Sequence, residues 1–302
     1  ENVQPAIGAF SLGLYKLLQK AGFQADFAAG HSFGELTALW AGGVLSDEAF
    51  TFLTKARGQA MSAPSNSNFD TGTMLAVKGD TAKLQRDIQA MANQGLDGVT
   101  IANFNSNEQV VLAGSRDVMA AAHKRLEPMG YVVTPLSVSA AFHTSFVGHA
   151  QRPFSQAIDR VPFSPPMIPV YGNSSGEPYA NDATAIRDSL KEHILNPVLF
   201  RQEIENIYAA GGTIFVEIGP KRVLTNLVKN ILNGRPHVAI AVNASDKKDS
   251  DRQLREAYAQ LCVAGLPLRA LDPYPVAFDG RTANKHTPVN VTLGGHNYVS
   301  PK

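Results

Sequence analysis

Between residues 72 and 137 the apolar spacing switches repeatedly between a period of two and a period near 3.6, and no other feature restricts the architecture as much. Residues 74–77 read as a strand, 81–93 as a helix, 99–102 and 109–113 as strands, 116–129 as a second helix and 131–133 as a last strand. The order β-α-β-β-α-β is the ferredoxin-like arrangement. The flanking sequence follows a different rhythm. Residues 5–20 begin with Pro5 and place Phe10, Leu14, Leu17 and Leu18 at helical spacing before Gly22. Residues 26–30 form a short apolar run, and Phe33, Leu36, Leu39 and Trp40 return to helical period before Gly42. Ser46 is placed as an N-cap, with Asp47 and Glu48 in the first turn of a helix that reaches about Met61. Farther on, residues 168–171 and 213–217 read as strands, and 183–193, 200–210 and 223–232 as helices. Strands alternating with helices imply a mostly parallel sheet. Residues 1–70 and 138–265 are therefore expected to build one large α/β subdomain, with residues 71–137 inserted as a small one. Residues 266–302, with Pro267, Pro273, Pro275, Pro288 and Pro301 and no sustained periodicity, read as a linker or tail.

Composition narrows the partners. The chain has 302 residues, 44% of them hydrophobic, enough for a substantial core. Its 27 basic and 26 acidic residues leave a formal charge of +1, which removes the electrostatic ground for nucleic-acid or membrane-surface binding. An acidic ligand must then be held by local groups. No apolar run is long enough to span a bilayer, and the first residues lack the basic and apolar regions of a signal peptide. The one cysteine, Cys262, follows Leu254, Ala257 and Leu261 at helical spacing and reads as a buried structural thiol, which fits a reducing, cytoplasmic setting. The chain opens almost directly on a helical pattern, as a piece cut from something longer would.

Gly30-His31-Ser32-Phe33-Gly34 has the form G-x-S-x-G between an expected strand and an expected helix. Glycines let strand and helix approach closely while the serine is pushed into a strained, exposed position. At the helix start, the Phe33 backbone N–H points where a tetrahedral oxyanion would form. The bland alternative is an ordinary loop, since glycine and serine are common in turns. A serine hydroxyl needs a base, and the chain has eight histidines. His31 adjoins Ser32 and is expected to point away; His123, His237, His286 and His296 lie in surface-like contexts. His143 ends the segment that returns from the inserted unit to the main body, a junction where catalytic groups are often found. His149 is the rival.

On the helix after Ser46, Phe50, Leu53, Arg57 and Met61 fall on one stripe, so a guanidinium is aimed inward. A structural arginine would snorkel or pair with a buried carboxylate. A functional one would offer its fork to a carboxylate-bearing ligand through two parallel hydrogen bonds.

These stretches together resemble the malonyl-CoA:acyl carrier protein transacylase family, and most closely the acyltransferase domains of bacterial polyunsaturated-fatty-acid synthases and related iterative polyketide synthases. The resemblance rests on residues 30–45 (GHSFGELTALWAGGVL), Arg57-Gly58-Gln59-Ala60-Met61, Ala141-Phe142-His143, Asn196-Pro197-Val198 and Glu217-Ile218-Gly219-Pro220, in order and in register over residues 2–265. It implies a mostly parallel-sheet, hydrolase-like large subdomain with the ferredoxin-like insertion. It makes Ser32 the acylated nucleophile, His143 the general base and acid, and Arg57 the partner of the malonyl carboxylate. It also implies that a backbone carbonyl, here that of His193, orients the histidine, and that Phe142 disfavours a branched acyl group. The family's second oxyanion donor lies in a G-Q-G segment that does not precede Glu1, so it is expected outside this sequence.

The implied reaction moves malonyl from coenzyme A to Ser32 and then to the phosphopantetheine thiol of an acyl carrier protein, with no bound cofactor or metal, beside other domains of a synthase. A hydrolase reading needs an aspartate in strong context, and neither Asp97 nor Asp279 has one. A catalytically weak docking module is the reading from another class.

Overall fold

A computed structural model describes residues 2–62, 70–269 and 271 of the chain. The chain starts with α1 (Val3–Lys20), passes through the turn at Ser32 into α2 (Gly34–Ala41), and continues to α3 (Asp47–Ala60). The chain goes on through β1 (Thr73–Lys78), α4 (Thr81–Asn93), β2 (Thr100–Phe104), β3 (Gln109–Gly114), α5 (Arg116–Leu126) and β4 (Val132–Pro135). The remainder comprises α6 (Gly148–Ile158), α7 (Ala183–Glu192), α8 (Phe200–Ala209), β5 (Ile214–Pro220), α9 (Val223–Ile231), β6 (Val238–Asn243) and α10 (Ser250–Val263).

Local chemistry sets several boundaries. Ser46, Asp80, Ser115, Asp182 and Asp249 each accept a hydrogen bond from a backbone N–H in the first turn of the helix they precede. Each such cap contributes about 1 kcal/mol by satisfying a donor that the helix itself cannot. α2 is short but has Leu36, Ala38, Leu39 and Trp40 buried, so it is held by packing more than by its own length.

From β1 to β4 the strand order is β2-β3-β1-β4, with every pairing antiparallel. Alternate residues of these strands and the inner faces of α4 and α5 form a separate core, including Leu75, Val77, Leu84, Met91, Val110, Leu112, Met119 and Leu126. The main core joins α1, α2, α3, α6, α7, β6 and α10 around Leu18, Leu36, Leu39, Phe50, Leu53, Phe154 and Leu261. Thr71, before β1, and the chain after β4 are tied together. Ala141 N–H donates to Thr71 O at 2.8 Å, and Thr71 Oγ1 donates to Ser139 O at 2.8 Å. That closure brings His143 back beside α3.

The parallel sheet of the large body is less extensive than expected. β5 and β6 pair in parallel, but residues 26–30 and 168–171 meet only through a single parallel bridge, Ala28 to Val170. Pro169 has no N–H to extend the ladder, and the chain after Ala29 enters the Ser32 turn at once. A further bridge, Asn103 to Val198, ties the edge strand β2 to the segment before α8. Two details correct the sequence expectations. Phe10 lies on an exposed part of α1, while Tyr15 is buried. Cys262 is exposed, because it falls one position past the buried Leu261 on α10. Of the tail expected over 266–302, Leu266, Leu268 and Leu271 pack against the main core, so the body continues past residue 265; residues 270 and 272–302 lie outside the described residues. Among the described residues no helix is long and apolar enough to cross a membrane.

Candidate active site

Ser32 sits between the Ala28 bridge and the first residue of α2, with φ of 52°, a conformation that residues with a Cβ rarely adopt. Gly30 makes the bend possible. A Cβ there would lie 2.1 Å from Gly34 O and 2.2 Å from Gly34 C, so nothing larger than hydrogen fits between the incoming strand and the helix. Gly34 has no such constraint, since a Cβ there would meet nothing within 4 Å.

The structure brings His143 to this turn across 111 residues of sequence: Ser32 Oγ lies 2.6 Å from His143 Nε2. His143 itself has φ of 60° and is buried. Its Nδ1 lies 3.0 Å from Asn196 O. A carbonyl can only accept, so Nδ1 carries the proton and Nε2 is the bare nitrogen that receives the Ser32 hydroxyl hydrogen. Burial holds the His143 imidazole well below its ordinary range, with His193, Arg57 and His31 adding to the effect, so the ring is neutral near pH 7. His149, the rival histidine, instead lies with Nε2 3.3 Å from Ser62 O on α6.

The backbone carbonyl that meets the His143 ring is thus that of Asn196, where the sequence reading had expected that of His193. His193 caps α7, and the chain turns for three more residues before its carbonyl faces the His143 ring. The His193 side chain is buried, with Nε2 2.8 Å from Glu35 Oε2 and 3.3 Å from Asn173 Oδ1. Burial would raise the Glu35 carboxyl, but His193, the Tyr179 hydroxyl and the Asn173 backbone N–H outweigh it and hold Glu35 below the usual carboxylate range.

Arg57 comes from α3 and is 1% exposed. Nη1 donates to Gln4 Oε1 at 2.7 Å, Nη2 lies 3.4 Å from Ser32 Oγ, and Nε has no partner among the described residues. The guanidinium also faces the Phe33 ring, 5.9 Å from its centroid. Burial lowers its pKa to about 10, with Glu35 opposing, so it remains a cation. Among the described residues it makes no ion pair. The arrangement offers a buried cation, outside any ion pair among the described residues, directed at a hydroxyl that is bonded to a neutral imidazole.

Around this centre, Phe33 N–H has no hydrogen-bond partner among the described residues and heads α2. Phe142 is half-buried between the main core and the cluster of Met74, Ala102 and Val111, directly before His143. His31 points away from Ser32 toward the β2–β3 connection, with Nε2 2.7 Å from Asn105 Oδ1 and its ring edge-on to Phe200. A cavity of about 600 Å³ borders the turn through His31, Phe33 and Gly34 on the side of β5, but Ser32, Arg57 and His143 do not line it. The sequence had singled out neither Gln4, Asn105 nor Asn173 as side chains. Glu35 and Asn196 were visible only as letters in a motif.

Residues 1–266 match the acyl transferase domain family. The chain is 36% identical over 303 residues to a polyunsaturated fatty acid synthase polypeptide of Thraustochytrium sp., covering 99% of this chain and 10% of that protein. It is 33% identical over 239 residues to a malonyl CoA-acyl carrier protein transacylase of Bacillus subtilis, covering 79% of this chain and 58% of that one. Of solved structures, the acyltransferase domain from the second module of the salinomycin polyketide synthase superposes with a TM-score of 0.79 at 29% identity, over 94% of this chain and 64% of that one. The chain therefore spans between a tenth and two thirds of the length of these relatives.

Proposed function

The chain belongs to the acyl transferase domain family, and from that premise we propose that it moves a malonyl group from malonyl-CoA, through an ester on Ser32, to the phosphopantetheine thiol of an acyl carrier protein. The observation that carries this reading is the buried Arg57 guanidinium 3.4 Å from Ser32 Oγ, which makes no ion pair among the described residues and favours an acyl group ending in a carboxylate over a neutral one.

In the first half-reaction, His143 Nε2 takes the Ser32 hydroxyl proton as Oγ attacks the thioester carbonyl. Phe33 N–H, at the start of α2, donates to the developing oxyanion. The C–S bond then breaks, and the departing coenzyme A sulfur takes the proton back from Nε2. The second half-reaction runs the same steps with the carrier's thiol: its proton passes to Nε2, its sulfur attacks the ester, and Ser32 Oγ leaves with the proton. Asn196 O holds the imidazole in the tautomer that both halves need. Arg57 holds the acyl group so that the carbonyl stays at Ser32, and Phe142 crowds a branch next to it. Coenzyme A and the carrier are substrates, and the reaction calls for no resident cofactor. Residues 71–137 are read as a ferredoxin-like small subdomain whose closing strand delivers His143, within a domain of a larger synthase.

The test is incubation of the chain with malonyl-CoA followed by intact mass measurement, with Ser32→Ala as control. A lasting malonyl ester confined to the parent protein is expected. Rapid release of free malonate would mean hydrolysis, and absence of any adduct would leave a docking role; either result refutes transfer.

A further inference from the structure

We propose that Asn173 is the positioning residue of the nucleophile turn, a role that rests on Ser32 acting as the acylated group. Asn173 is fully buried and follows the strand segment that bridges to Ala28. Its carboxamide spans His31. Oδ1 accepts from Ser32 N–H at 2.6 Å, and Nδ2 donates to Gly30 C=O at 2.5 Å. Because a backbone N–H can only donate and a carbonyl can only accept, the two ends of the carboxamide cannot be exchanged.

One planar group thus fixes the distance and tilt between the peptide units on either side of His31. The backbone beyond them is the part held at φ of 52°, an arrangement that persists only where the surroundings enforce it. Each end of the carboxamide is itself braced. Nδ2 also donates to Glu203 Oε1 at 2.5 Å, and Oδ1 lies 3.3 Å from His193 Nε2. The Asn173 backbone is anchored as well, its N–H donating to Glu35 Oε1 at 3.1 Å and its carbonyl accepting from Leu199 N–H at 2.8 Å. Burial, with Glu35 close by, raises the Glu203 carboxyl well above the usual carboxylate range, which disfavours a second anion beside Glu35. The bond to Ser32 N–H has a further effect: it occupies that donor and leaves Phe33 N–H as the one free to face an oxyanion. Without the clamp the turn relaxes toward ordinary backbone geometry, and Ser32 Oγ leaves its 2.6 Å contact with His143.

Two readouts on the full chain test this: steady-state malonyl transfer, and labelling of Ser32 by a fluorophosphonate followed by intact mass. The second needs the nucleophile and its base but no malonyl group. Asn173→Ala is expected to lower kcat about a hundredfold, the scale of an ångström-sized misplacement, with KM for malonyl-CoA unchanged and labelling slowed in parallel. Asn173→Asp keeps the acceptor for Ser32 and loses the donor to Gly30 until its carboxyl is protonated. Its labelling rate relative to the parent should therefore rise as pH falls, which a general loss of packing would not reproduce. The titratable groups facing this position are Glu35, His193 and Glu203, with Tyr179 and His143 next to them; all are shared with the parent, so the ratio reports the titration that the new carboxyl introduces, on its own and through its coupling to them. Parent-like kcat and labelling in Asn173→Ala, a loss confined to KM, or a flat ratio for Asn173→Asp would each overturn the proposal. If Asn173→Ala does not fold, Asn173→Asp decides alone. A parent chain that is labelled yet takes no malonyl group refutes the malonyl assignment only, and the labelling series still decides Asn173; a parent that is not labelled refutes both.

Discussion

Replacing Arg57 with alanine separates binding of the acyl tail from chemistry at Ser32. The guanidinium presents Nη1, now bonded to Gln4 Oε1, and Nη2, 3.4 Å from Ser32 Oγ, while Nε is unpartnered among the described residues. A malonyl carboxylate that takes up two of these donors gains charge-assisted bonds of about 1.5–3 kcal/mol each and displaces a bond to Gln4 of about 1 kcal/mol, a net of about 2–5 kcal/mol. At 1.4 kcal/mol per tenfold, that predicts a loss in malonyl kcat/KM of about thirtyfold to several thousandfold. Acetyl-CoA carries no carboxylate, so its transfer should change little. Burial, which lowers the Arg57 pKa to about 10, opposes the cation, and lifting that penalty partly offsets the packing lost with the side chain. Arg57→Met, which keeps most of the volume without the charge, should therefore fold with an unchanged or higher Tm while losing malonyl transfer as Arg57→Ala does. The assay compares initial rates of malonyl and acetyl loading on one preparation, with thermal unfolding recorded alongside. Equal losses for the two acyl groups would refute the carboxylate role of Arg57.

Acylation should persist in mildly acidic solution, because burial holds the His143 pKa well below the ordinary imidazole value of about 6.5; the acid limb of single-turnover Ser32 acylation should lie below that value, and a limb at or above it would contradict the assignment. The sign for stability follows from the same shift. Unfolded His143 binds a proton below about 6.5 while the folded ring does not, so its contribution is complete above that pH and is lost as pH falls. Urea midpoints of the parent should accordingly drop more steeply from pH 7 to pH 5 than those of His143→Gln. Gly30→Ala drives a Cβ into the Gly34 backbone and should cost about 3 kcal/mol or more in urea unfolding, with loss of acylation, whereas Gly34→Ala should leave the unfolding midpoint unchanged or higher.

The parts of this protein legible in the sequence were those set by neighbours within a few residues. The α4 bounds, the cap at Ser46, the strand at 109–113 and the G-x-S-x-G bend are consequences of local periodicity, capping chemistry and backbone sterics, and the letters carry them directly. Arg57 was also visible, because a charged residue on an apolar stripe stands out at 3.6 residues per turn.

Tertiary structure decided the rest. Nothing local distinguishes Asn196 from His193 as the source of the orienting carbonyl, since a three-residue difference at the end of α7 changes which oxygen faces His143. Asn173 looks like a turn residue in sequence, yet its carboxamide meets Gly30 and Ser32 from more than a hundred positions away. Gln4 and Asn105 likewise acquire their contacts with Arg57 and His31 only once α1 and the β2–β3 connection have packed against the body. Periodicity reports which face of an element is buried; it carries no information about which distant element will cover that face, and the hydrogen-bond partners of buried polar groups are chosen by that covering element.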